Sequence, residues 1–367
     1  MVRPLAGLTV LDCSQFLSGP SAGLRMADLG ARVIKIERPD GGDICRTLYI
    51  SNLELDGEST LFHSINRNKL SYAVDLKNAE QREALIALIR RADVFVQNYR
   101  PGVIERLGLS YETVRTWNPR IVYGSISGYG AAGPWRDKPG QDLLVQSMSG
   151  LAWLTGADGQ APIPLGLSMV DMLAGAYMLQ GILACLVRRG IRGTGGHVEV
   201  SMMDCAVDMQ AAVWTERMNG GAGTTAAADS AAAELRACRG IFRTRDGYVA
   251  VAPDDRATLA ALKASLAAGG EPELPMQARL LEQTTAQWLE EWSSRGIACG
   301  EVCDWNGLKA QEGFSRLHMI QQVEGARGSS WATLRCPIRI DGERFVSGRG
   351  SPAIGEHNDL ILKEFGL

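Results

Sequence analysis

Short apolar strands alternate with helix-period segments through the N-terminal half of the chain, and this pattern constrains the fold most. LTVLDC at 8–13 has the character of a strand, GPSAGLRMADLG of a short helix, and ARVIKIE of a second strand. AEQREALIALIRRA places apolar residues at helical spacing and leads into the strand DVFVQN. The helix YETVRTW, the strand IVYGSI, a core helix over 170–189 and a strand in HVEVSMM follow. Strands separated by helices predict right-handed crossovers and a parallel sheet covered on both faces, an α/β architecture of Rossmann-like type.

The character changes between about 205 and 240, where GGAGTTAAADSAAA suits a linker. FRTRDGYVAVA then predicts a hairpin with an Asp-Gly turn, followed by helices near 256–268 and 286–295. The C-terminal stretch is turn-rich and ends in a short helix, DLILKEFG. The expected organisation is a large domain over 1–205 completed by 330–367, a linker over 206–239 and a small α+β domain over 240–329.

Charge and cysteine use exclude several classes. With 38 Lys and Arg against 41 Asp and Glu, the net charge is −3, so no basic field draws nucleic acid. Of the 8 cysteines only Cys299 and Cys303 stand close, without His or Cys at zinc-ligand spacing. Free thiols, no metal site and a cytoplasmic location are expected. The start, MVRPLAGLTVLD, lacks the charged-then-apolar order of a secretory signal. Met169 to Val187 nears the ~20 residues of a membrane span. It contains Asp171, Gln180, Gly175 and Gly181, however. A central Asp costs ~2.5–3.5 kcal/mol, which favours a buried core helix and no membrane partner.

Asp171 is therefore the residue that needs explaining. A carboxylate in a helix's first turn gains about 0.3–1 kcal/mol from the helix dipole, so a structural role suffices. The same placement keeps it charged: from an ordinary value near 3.9, a two-unit rise leaves about 90% ionised at neutral pH. A poorly hydrated carboxylate is a competent nucleophile toward an activated acyl group, so chemistry and structure explain it equally. Asp142 stands where it would cap the helix DLLVQSM, and a substrate role requires it to face Asp171.

Ligand-binding signals cluster after the strands. SGPSAG follows the first strand without the G-x-G-x-x-G order, and Pro20 removes a backbone donor, which disfavours a nicotinamide cofactor although Glu37 ends the second strand. Arg38 projects from a strand's carboxyl end, where its planar guanidinium suits a purine or phosphate. Lys69, Lys77, Arg100 and Arg106 fall in loops that converge on the same sheet edge and suit a polyphosphate ligand, though each alone suits a solvated loop.

In order, GLTVLD, SGP, DLGARVIKIERPDGGD, NRNKLSYAVDLK, NYRPGVIERLGL, GYGAAGP, LSMVDMLAG, RGTGGHVEVSMMD and RGSPAIGEHND resemble the class III CoA-transferases, the family of formyl-CoA transferase. The resemblance covers almost the whole chain. It implies an interlocked homodimer acting on coenzyme A thioesters, with no permanently bound cofactor. It makes Asp171 the nucleophile, passing through aspartyl anhydride and aspartyl-CoA thioester intermediates. It places Arg38 on the adenine side, and Val74 and Lys77 at the nucleotide. It gives Phe16 and Leu17 to the pantetheine-side loop, Asn98 and Arg106 to further CoA contacts, and Lys138 to a phosphate. Asp142 falls near the reacting acyl group.

Two departures bear on specificity. Related racemases carry GHD where this chain has GQD, and the Gln141 amide cannot accept a proton at neutral pH, so a two-base racemase is disfavoured. No glycine loop like that of formyl-CoA transferase stands in ELRACRGIFRTRDG, with Gly220–Gly223 a stand-in. CoA transfer to a small acid is expected, a dicarboxylate such as oxalate or succinate if Gln141 donates to it. An acyl-CoA racemase and a non-catalytic CoA-binding protein are the alternatives.

Overall fold

The computed structural model describes residues 3–48, 53–155, 161–220, 231–267 and 276–367. Contacts divide the chain into two units, Met1–Ala211 with His318–Leu367, and Ala212–Leu317.

The first unit opens with β1 (Thr9–Asp12), α1 (Ser18–Asp28) and β2 (Arg32–Glu37). A two-residue strand pair, β3 (Glu54–Leu55) and β4 (Glu58–Ser59), leads to α2 (Thr60–Asn66), β5 (Leu70–Ala73) and α3 (Ala79–Arg91). Next come β6 (Val94–Gln97), α4 (Val103–Arg106), α5 (Tyr111–Trp117) and β7 (Val122–Ser127). They are followed by α6 (Asp142–Met148), α7 (Leu151–Thr155), the long α8 (Met169–Arg192), β8 (Gly196–Ser201) and α9 (Met202–Asp208).

Six of these strands form one parallel sheet in the order β5-β2-β1-β6-β7-β8. The chain builds outward from β1 to β5, then returns to build β6 to β8 on the other side, so the strand order reverses between β1 and β6. Alternate residues face opposite layers, as a pleated strand requires. Val10, Val33 and Val122 pack with Ala22, Met26, Met178 and Ile182 on the α1 and α8 face. Leu11, Ile34 and Tyr123 pack with Leu85, Ile89, Val114 and Ile361 on the other.

The C-terminal segment finishes this unit. A hairpin of β12 (Ile320–Glu324) and β13 (Ser330–Leu334) bonds back to residues 348–350, and α17 (Asn358–Phe365) inserts Ile361 and Phe365 into the second core layer. The Asn358 side chain bonds both backbone groups of Ala73 on edge strand β5, at 2.9 and 3.0 Å. An exposed edge would otherwise be a pairing hazard.

The second unit has α10 (Ala211–Met218), beginning at the boundary, α11 (Ala231–Cys238), and a three-stranded antiparallel sheet of β9 (Gly240–Arg243), β10 (Tyr248–Val251) and β11 (Cys299–Glu301). α12 (Arg256–Ala267), α13 (Met276–Leu280) and α14 (Thr285–Ser294) enclose Trp288 and Trp292, and α15 (Trp305–Ala310) and α16 (Glu312–Leu317) complete it.

Three local expectations change. The stretch expected as a linker holds α10 and α11, because alanine is the best helix former as well as a linker residue. HVEVSMM stops being strand at Ser201, whose hydroxyl accepts the Asp204 amide at 3.3 Å and starts α9. NRNK is no solvated loop: it ends α2 and turns into β5, with Arg67 and Lys69 buried.

Helix α8 is long and apolar enough to cross a membrane by length and composition. It buries Val170, Ala174, Gly175, Met178, Leu179 and Ile182 against α1 and the sheet. The expected core helix is buried on one face, and Met169, Met172, Val187 and Ile191 remain exposed on its other faces.

Candidate active site

The carboxyl ends of parallel strands share one edge, and ligands of open α/β sheets bind there, where strand order reverses. Phe16 and Leu17 follow β1, Arg38 follows β2, Val74 and Lys77 follow β5, and Asn98 and Arg100 follow β6, with Arg106 ending the short α4. Lys138 and Gln141 lie in the loop between β7 and α6. Arg38, Lys77, Arg100, Arg106, Lys138 and Gln141 are exposed. A cavity of about 180 Å³ lies along the same edge, between Gln97, Tyr99, Ile104, Ser125 and His197.

The loop after β1 is held atom by atom. Asp12 accepts from the Ser14 amide at 3.1 Å, and Lys35 Nζ donates to the Ser14 carbonyl at 2.9 Å. Asn98 Oδ1 accepts from the Gln15 amide at 2.8 Å while its Nδ2 donates to the Gln15 carbonyl at 2.7 Å. Asp43 accepts from the Phe16 amide at 3.3 Å and pairs with Lys35 at 2.7 Å. These anchors hold Phe16 in the left-handed region, φ 61°, an unusual state for an aromatic residue, and the residue is 43% exposed.

Asp171 lies in the first turn of α8, half-buried against this loop. Gly175, one turn further on, makes the approach possible. A Cβ there would stand 2.1 Å from Ser21 Oγ and 2.6 Å from the Ser18 carbonyl oxygen. The other side is set by α6: Asp142 Oδ1 accepts the Asp171 backbone amide at 2.9 Å. Gln146 bonds Asp142, and holds the chain entering α8 through the Leu165 amide at 2.9 Å and the Leu167 carbonyl at 3.2 Å. Gly128 and Gly140 close the preceding loop backbone to backbone, since a Cβ on either would lie 2.6 Å from the other's Cα.

Burial and the neighbouring Asp142 charge push the Asp171 carboxyl up to about 7, against hydrogen bonds from the Ser18 hydroxyl and amide. This corrects the expectation of a carboxylate nine-tenths ionised: at neutral pH about half is protonated, because burial first and the Asp142 charge second oppose ionisation.

Other site expectations change as well. Lys69 does not face a ligand; it is fully buried and donates to Asp12, the Pro20 carbonyl and Asn66, each at 2.8 Å. Burial pulls it down to about 8, while Lys69 and Lys35 together outweigh burial at Asp12 and hold that carboxyl below its usual range. Asn98 spends its amide on Gln15 and Ser18. Val74 is buried, and its amide donates to the Glu37 carbonyl at 2.8 Å. Asp142 is the first residue of α6, not its cap; it satisfies α8 instead. Glu37 is not available to a ribose, being paired with Arg46 at 2.7 Å and bonded by Ser71 at 2.8 Å. Of the stand-in glycines, Gly220 lies in the turn after α10 with φ 84° and the rest lie outside the described residues.

Sequence reasoning missed Ser18, Gln146 and Gly175. Only Gly175 left a signal: a glycine one turn after a lone helical acid marks a close approach.

The profile of CoA-transferase family III matches residues 5–358. The chain belongs to that family. It is 28% identical over 389 residues to a succinyl-CoA:glutarate CoA-transferase of Homo sapiens, covering 99% of this chain and 86% of that one. It is 30% identical over 400 residues to a formyl-CoA:oxalate CoA-transferase of Streptomyces avermitilis, covering 100% and 97%. A CAIB/BAIF family protein from Brucella suis has the same fold, with TM-score 0.85, 27% identity and full coverage of both chains. As a member of this enzyme family, the chain has the family's α/β sheet, and Asp171 stands in the first turn of α8.

Proposed function

We propose that this chain transfers CoA from an acyl-CoA donor to a small carboxylic acid, with Asp171 as covalent nucleophile. The observation that carries this reading is the Asp171 carboxylate, poorly hydrated in the first turn of α8 and beside the loop at the strand-order reversal. An Asp171 oxygen attacks the thioester carbon, the C–S bond breaks, and CoA leaves as thiolate beside a mixed anhydride. The thiolate attacks the Asp171 carbonyl and expels the donor acid, leaving an aspartyl-CoA thioester. The acceptor carboxylate attacks that carbonyl, giving a second anhydride and free thiolate. Thiolate attack on the acceptor's acyl carbon then releases the new acyl-CoA and restores Asp171. Each step exchanges oxygen and sulfur at a carbonyl, with no net proton or electron, so the cycle calls for no redox cofactor.

Exposed side chains on the sheet edge suit CoA itself. Arg38 and Lys77 are assigned to the nucleotide, and Arg100, Arg106 and Lys138 to phosphates. Phe16 and Leu17 are assigned to pantetheine, whose apolar stretches suit the exposed Phe16 ring. Gln141, exposed where the chain enters α6, is assigned to the acceptor's second carboxylate, and the oxalate and glutarate in the relatives' names support a dicarboxylate. Leu143 and Met148 on α6, Trp153 on α7 and Met172 on α8 are large apolar side chains left exposed, which favours a homodimer, interlocked as in the family resemblance. The free thiols favour a reducing compartment, the cytoplasm.

The test incubates the protein with acyl-CoA donors, traps with hydroxylamine and maps peptides by mass. A hydroxamate on Asp171 and carboxylate-dependent CoA exchange are expected. Modification elsewhere, or deuterium entering the carbon next to the thioester without exchange, overturns the reading.

A further inference from the structure

The nucleophile reading leaves open what aims the Asp171 carboxylate, and the inference below rests on that reading. Ser18 is the first residue of α1 and is 3% exposed. Asn98 Nδ2 donates to Ser18 Oγ at 3.3 Å while the same side chain grips both backbone groups of Gln15. An amide nitrogen only donates, so the Ser18 oxygen accepts from Asn98 and its single proton is free to point elsewhere. Ser18 faces the Asp171 carboxyl, whose ionised form its hydroxyl and backbone N–H both favour. This N–H is one of the groups at a helix start without an intrahelical acceptor. The Ser18 carbonyl is taken by Ser21 Oγ at 2.8 Å, and Gly175 lets α8 come close enough for the contact.

We propose that Ser18 is the positioning residue of the nucleophile: oriented by Asn98, its hydroxyl and amide hold the Asp171 carboxylate ionised and fix its direction toward the acyl carbon. Asn98 thereby acts on the chemistry through Ser18, in addition to any contact with CoA. The charged group facing Asp171 from the elements packed on α8 is Asp142 of α6, which opposes ionisation. Ser18 is what counters it.

Two readouts on the intact protein test this. Carbodiimide couples to protonated carboxyls, so its rate at Asp171 against pH, read by peptide mass, reports ionisation without turnover. In Ser18→Ala the labelling midpoint moves to higher pH. In the same variant kcat at pH 7 falls about tenfold or more, the effect of losing a hydrogen bond to a charge, while KM for acyl-CoA stays within about twofold. Asn98→Ala shifts the midpoint in the same direction, but adds no further shift in the Ser18→Ala background, because the two act in series. An unchanged midpoint in Ser18→Ala overturns the proposal, as does an additive shift in the double variant. Hydroxylamine trapping of the unmutated protein tests the nucleophile separately: no hydroxamate at Asp171 sinks that reading whatever the labelling shows.

Discussion

Gly175→Ala separates two opposed forces. In an unobstructed helix interior, replacing glycine by alanine stabilises by about 1 kcal/mol. At Gly175 the added Cβ lands 2.1 Å from Ser21 Oγ and 2.6 Å from the Ser18 carbonyl oxygen. A carbon and an oxygen need roughly 3.4 Å or more, so relief requires about 1 Å of movement between α1 and α8. Ser21 can rotate away, but the Ser18 oxygen belongs to the backbone and cannot. Overpacking of this kind costs about 1–3 kcal/mol, enough to reverse the sign of the propensity gain. The same movement draws Asp171 away from Ser18, and a displacement near 1 Å can cost about 100-fold in rate. Urea melts at pH 7.5 and steady-state CoA exchange provide the assay. A lower midpoint with kcat down at least about tenfold is expected, and Ser21→Ala in the same chain recovers little. A Gly175→Ala protein that melts higher and turns over normally refutes the close approach as the means of placing the nucleophile.

Three more outcomes follow from the ion placement. With Asp171 near 7, kcat/KM for transfer rises about tenfold between pH 6 and 8, and Asp142→Asn, which keeps an acceptor for the Asp171 amide, moves that limb to lower pH; a flat profile contradicts the charge pairing. Asp171→Asn abolishes transfer yet stabilises the fold at pH 8. The folded carboxyl sits above its unfolded value of 3.8, so ionising it costs stability as pH rises through about 7. That cost is about 4 kcal/mol at most, nearer ~2 kcal/mol after solvent screening of a half-buried group, and pH-dependent melts should show the gain fading toward pH 4. Lys69→Met strands the Asp12 carboxylate, both side chains being fully buried, and costs about 3–5 kcal/mol by denaturant melt; a loss under about 1 kcal/mol contradicts a structural role for the pair.

Much of the large unit was legible because period-2 and period-3.6 patterns report local backbone and the face it buries. LTVLDC, ARVIKIE, DVFVQN and IVYGSI became β1, β2, β6 and β7 with their apolar residues in two core layers. LSYA was less legible because its polar neighbours, Arg67 and Lys69, resemble a solvated loop until Asp28 and Asp12 are seen to neutralise them. Alanine-rich 231–238 misled because that composition suits both loose chain and helix.

At the site, the chain itself determined that an acid must stand in the first turn of a long apolar helix, and that cations and amides must follow the strands. Those facts are set by residue type and spacing. Tertiary structure alone decided that Asp142 would satisfy α8 instead of its own helix, that Lys69 would spend its charge on Asp12, and that Ser18 would meet Asp171. Each joins residues far apart in the chain, and their ionisation depends on desolvation and on which charges fold to within a few ångströms. Residue spacing carries no measure of either.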